Sequence, residues 1–183
     1  MFVRPAGAGP RRAGFSLIEV MITLAIMAVG LLGVAKMQAL AIGNTKTAGS
    51  RALAAIHAAG MASAMHANKA YWAARLAPAN VSVNVGASVL SDATLQAQST
   101  NCVSSNCTPV QMAAYDLKLW GTALTRQLPG GTGALACPVV VSPTQVECTL
   151  TVSWSERHVG VNPAILDEAK QETTQSLVLL VQP

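Results

Sequence analysis

One uncharged run, Val20 to Ala35, constrains this chain more than any other feature, because it is preceded by "FSLI" and then by a single carboxylate, Glu19. If Glu19 is tolerated, the run is about 21 residues long, and at about 1.5 Å per helical residue it matches a hydrocarbon layer of roughly 30 Å. Arg4, Arg11 and Arg12 all precede Phe15, while few basic residues follow the run closely. That asymmetry places the N-terminus in the cytoplasm and the remainder outside. Four cysteines then fall in an oxidising compartment, where an even number favours two disulfides.

The 183 residues suit one domain plus an accessory segment, and with aromatics at only 4% the core has to be aliphatic. Lys and Arg number 12 against 8 Asp and Glu, but without the three leader arginines the balance is nine against eight. The main body therefore has no basic patch wide enough to follow phosphates, and no nucleic-acid partner is expected. A secretory signal cut after the "ALA" of Ala39 to Ala41 is the competing reading of the N-terminus. The run is longer than an ordinary signal core, Lys36 lies between it and that cut, and Glu19 has no purpose in such a scheme.

Residues 1–14 read as a leader, 15–36 as a membrane-spanning helix, 37–77 as its continuation and 78–183 as an external α+β head. The helix is expected to end near Leu76, before Pro78, and to bend or fray across the "GNTKTAG" of Gly43 to Gly49. Leu53, Ile56, Gly60, Ala64, Ala67 and Tyr71 follow one face, expected to pack on a sheet. Val81, Val83 and Val85 alternate as in a half-buried strand. Thr108, Pro109 and Gln111 form a capping-box pattern that opens an inserted helix with Ala113, Leu117, Trp120, Leu124 and Leu128 on one face, stopped by "LPGG".

Val139 and Val141, then "SPTQ", then Val146, Cys148, Leu150, Val152 and Trp154 read as a hairpin. "NPAILDEAKQE" reads as a short helix after Asn162, and "SLVLLV" (Ser176 to Val181) as a last, buried strand. The fold class is α+β: a long N-terminal helix packed on a small antiparallel sheet with an inserted helix.

An ionisable group at a membrane span costs a few kcal/mol near the bilayer centre, so it needs a partner. Cleavage between Gly14 and Phe15 supplies one. The new α-amine lies four residues before Glu19, on the same helix face and at the positive end of the helix dipole. The pair can close within one subunit or between two, and in the second case it registers one helix against the next.

These residues resemble the type IV prepilins: a basic leader ending in Gly, cleavage before Phe, and Glu as the fifth residue of the processed chain, all present in "GFSLIE". The resemblance implies cleavage by a prepilin peptidase, N-methylation of Phe15, storage in the inner membrane and assembly into a filament. Further blocks, "MASAMHANKAYW", "CVSSNCTPVQMAAYDLKLWGTALTRQLPGGTGALAC" and "LTVSWSER", are similar to the minor-pilin family of type IV pilus modification proteins, PilV, over residues 14–157. His66 and Lys69 depart from that pattern, where the family tends to have Arg, and the segment His158 to Gln175 is longer than usual. The family implies a scarce subunit that joins the major pilin and other minor pilins in an initiating complex at the filament tip, with motility and adhesion following indirectly.

Cys102 and Cys107 close a short loop and read as a structural staple, since redox catalysis favours C-x-x-C at a strand-to-helix junction. Cys137 and Cys148 flank the hairpin turn, but a four-residue "SPTQ" loop makes them diagonal, so bridging them needs a bulge or a shifted register. Four cysteines allow three connectivities, which stay open at this point. His57, His66 and His158 have no ligand spacing, and no nucleophile elbow, phosphate loop or Asp, His and Ser set can be placed. No catalytic residue, metal or cofactor is expected. A pseudopilin of type II secretion shares the N-terminal signature; a membrane-anchored binding or enzymatic domain is the alternative from another class.

Overall fold

The computed structural model describes residues 14–83, 90–138, 146–157 and 172–183. The expected leader up to residue 13, Val85, Val139, Val141, the "SPTQ" turn and the helix after Asn162 lie outside the described residues. Helix α1, Leu17–Ala67, passes through both of the compact units into which the chain divides, with the boundary between Ile42 and Gly43.

In the first unit every described side chain is exposed, including all the large apolar ones from Phe15 to Ile42. This part of α1 is long and apolar enough to cross a membrane.

The second unit contains a four-stranded antiparallel meander in the order β1 (Asn80–Val83), β2 (Thr132–Ala136), β3 (Cys148–Arg157) and β4 (Glu172–Val181). Strict alternation explains β3: Cys148, Leu150, Val152 and Trp154 are buried, while the residues between them are partly exposed. The sheet's inner residues share one core with Ala54, Ala58, Met61 and Met65 of α1 and with the buried stripe of α4 (Pro109–Gln127). That stripe is Ala113, Leu117, Trp120 and Leu124, as the periodicity requires. Gln111 Oε1 accepts from the Thr108 N–H at 2.9 Å and so serves the capping box. The chain leaves α4 through Gly130, whose φ of +59° is a left-handed conformation that favours glycine.

Several expectations are corrected. Helix α1 does not fray across Gly43 to Gly49 but continues unbroken; Gly43, Thr47 and Ser50 are partly buried, and just beyond them Arg51 is tied to Glu156 of β3, so tertiary contacts outweigh weak propensity. It ends at Ala67 rather than Leu76. The Asn68 side chain donates to the Pro109 carbonyl at 2.8 Å, and a separate short helix, α2 (Lys69–Trp72), turns Tyr71 and Trp72 into the core. Burial, then the Asp92 charge, pushes the Tyr71 hydroxyl up to about 12. The packed face of α1 is partly displaced from the expected one: Tyr71 is buried and Leu53 packs against the core as expected, but Ala54, Ala58, Met61 and Met65 form the buried stripe of α1, Ile56 is 65% exposed, and Gly60 and Ala67 are also on the surface. Alanines at the close contact let the helix approach the core, so the larger side chains marked the wrong stripe.

The final strand is longer than expected and not fully buried. Among the described residues it pairs only with β3, and its alternation turns Val178 and Leu180 to the outer face, where they are exposed. Strand β2, hidden in a segment of small residues, was not anticipated. A side chain at its Gly133 would overlap the Trp120 ring, so this glycine makes room for the indole over the sheet.

Described helix α3 (Ala93–Gln96) is a single turn, capped by Asp92, whose Oδ1 accepts from the Leu95 N–H at 2.9 Å. The segment after it is held to α4 by Lys118, whose Nζ donates to the carbonyls of Gln96 at 2.9 Å and Gln98 at 2.5 Å.

Candidate functional site

Gly14, Phe15 and Ser16 precede α1 without helical structure, and a Cβ on Gly14 would meet nothing within 4 Å. The Gly14–Phe15 bond is therefore presented on exposed backbone, and Phe15 itself is 83% exposed. Ser16 starts the helix: its carbonyl accepts from the N–H groups of Glu19 at 3.1 Å and Val20 at 3.3 Å. Glu19 lies in the first turn, where the unsatisfied amides and the dipole favour negative charge. Immediately beyond it the surface is continuously apolar to Ala35. Gly14, Phe15 and Glu19 are thus brought together in one helix start, with no other part of the described chain required to assemble them.

This arrangement has a definite chemistry. Hydrolysis of the Gly14–Phe15 bond adds water, leaving a carboxylate on Gly14 and an ammonium on Phe15. The ammonium then stands one helical turn from the Glu19 carboxylate at the edge of the apolar run. Two opposite charges that enter a low-dielectric layer as a pair are far less costly there than either alone.

The prokaryotic N-terminal methylation motif matches residues 9–35. The match spans the leader end, the Gly14–Phe15 junction, Glu19 and the uncharged run. The N-terminal segment is prepilin-like. The chain's long N-terminal helix with a small four-stranded antiparallel sheet agrees with a type IV pilin-like fold. No curated protein and no solved structure matches the chain.

The four cysteines are joined as Cys102–Cys107 and Cys137–Cys148, with Cα separations of 5.5 Å and 4.2 Å. The β2–β3 register pairs Ala136 with Thr149, so the next step sets Cys137 directly opposite Cys148. The diagonal placement derived from an "SPTQ" loop is corrected, since it took the turn to be four residues long. The Cys102–Cys107 loop is exposed, with Val103 at its tip, and precedes α4.

Sequence reasoning missed a second polar constellation. Glu156 is buried at the end of β3, where its Oε1 accepts from Arg51 Nε and from Trp154 Nε1, each at 3.0 Å. Its Oε2 accepts from Arg51 Nη2, also at 3.0 Å, completing a bidentate pair. The hydrogen bond to Glu156, then its charge, raises the Arg51 guanidinium above its ordinary value. Continuing the β3 alternation from Trp154 by two residues would have placed Glu156 inside. A buried carboxylate demands a cation, and Arg51, on α1 beside the weak-propensity segment, provides it.

Proposed function

We propose that this protein is a minor pilin of type IV pili, processed by prepilin peptidase between Gly14 and Phe15 and methylated on Phe15. In this reading it waits in the inner membrane, N-terminus in the cytoplasm and head outside, and joins the major pilin and other minor pilins at the start of a filament, at its tip. The observation that carries the reading is Glu19, the fifth residue from Phe15, in the first turn of a helix that is wholly exposed and apolar to Ala35. A simple anchor needs the apolar surface but not the carboxylate. An assembling subunit needs both: the surface to leave lipid for contact with other helices, and the charge pair to set the register. The minor-pilin assignment is supported by the resemblance of the head segments to the PilV family.

Glu19→Val separates anchor from assembly. In a strain whose only copy carries it, the variant is cleaved and held in the membrane, but its amount in sheared pili falls by about tenfold or more and piliation is lost. Normal piliation by this variant contradicts the assembly role.

A further inference from the structure

Helices α1 and α4 leave between them an open groove lined by Ile56, Gly60 and Ala64 from one side and by Leu119 and Ala123 from the other, with Asp116 on its wall. The head does not fill this groove. Ile56 and Leu119 are 65% and 58% exposed, and a Cβ on Gly60 would meet nothing within 4 Å. Asp116 is partly buried among these apolar groups and has no hydrogen-bond or ion-pair partner among the described residues. Burial raises its carboxyl above the ordinary aspartate value, and no cation offsets that effect. A cation brought in on an incoming surface would offset that effect.

Three features specify what fits. The groove runs between two helices, and Gly60, Ala64 and Ala123 keep its floor low enough for a third helix to lie in it. Its rim is apolar, so the incoming surface is apolar too. His57, hydrogen-bonded to Gln127 at 3.2 Å, also lines the groove, and the Asp116 carboxylate disfavours nucleic acid and anionic lipid headgroups and suits a cation on that apolar surface. Helices of this kind exist in pilin-like chains: here Lys36 is the sole charged residue between Glu19 and Lys46 in α1.

We infer that the α1–α4 groove is the docking face for an apolar helix of a neighbouring pilin subunit, which brings one Lys or Arg to Asp116. This rests on the pilin reading above and names the surface by which the head meets its neighbour.

The test replaces Leu119 by the photo-crosslinker p-benzoylphenylalanine in the full-length protein, in cells that assemble the filament, and sequences the cross-linked peptide from sheared pili by mass spectrometry. The expected product joins position 119 to a pilin helix within about one turn, some four residues, of a Lys or Arg. Its yield falls by about tenfold or more in both Asp116→Lys and Gly60→Leu. Gly60→Leu fills the groove at a surface position and leaves the melting temperature of the head in place, so it decides the matter even if Asp116→Lys does not fold. Cross-links to a strand, to a helix lacking a basic residue, or at yields unchanged by Gly60→Leu overturn the inference. Protein cleaved at Phe15 and present in pili but giving no cross-link defeats the groove alone, whereas uncleaved protein absent from pili defeats the pilin reading and the groove with it.

Discussion

At the scale of single residues, two carboxylates in the head have opposite circumstances. Glu156 is fully served by Arg51 and Trp154, so Glu156→Leu keeps the bulk but leaves the Trp154 N–H without its acceptor. A stranded buried donor costs about 1–3 kcal/mol, which urea denaturation of the soluble head resolves as a lower midpoint. Asp116 is partly buried without a partner among the described residues, and that burial raises its folded-state pKa. Its ionised form therefore destabilises the fold at neutral pH, and stability is regained as the pH falls through the raised folded value toward the unfolded one. Asp116→Asn melts higher than the wild type at pH 7, and the advantage shrinks as the solution is acidified into the carboxylate range. Thermal melts across that range check the sign.

Among the elements, the disulfide between Cys137 and Cys148 ties β2 to β3 at their shared end, with ten residues between the two cysteines. Replacing both by Ala lowers stability by about 2–3 kcal/mol, read as a drop in the denaturation midpoint of the oxidised head relative to the wild type. The sequence made α4 and β3 legible because each repeats large apolar residues at its own period, four or three apart in the helix and two apart in the strand. Strand β2 was hidden because its inward positions include Gly133, whose small size accommodates Trp120, a residue distant in sequence. The buried stripe of α1 was hidden for a similar reason, since Ala54 and Ala58 carry no more hydropathy than the exposed alanines around them. Asn68 could not be recognised as a helix end until Pro109 was seen to accept its side-chain amide. The N-terminal motif was legible because Gly14, Phe15 and Glu19 lie within six consecutive residues of the matched segment. The Arg51–Glu156 pair spans 105 residues and was not.

For the whole molecule, one helix serves two environments. Up to Ile42 its exposed surface is almost wholly apolar, and from Gly43 onward Ala54, Ala58, Met61 and Met65 belong to the core of the head. The proposed passage from lipid to filament requires an amine created at Phe15 beside Glu19. Intact-mass and N-terminal peptide mass spectrometry of the protein recovered from membranes and sheared pili tests this most directly. The account predicts a chain beginning at Phe15 with one methyl group on its nitrogen; a chain still beginning at Met1, or one beginning at Ile42, contradicts it.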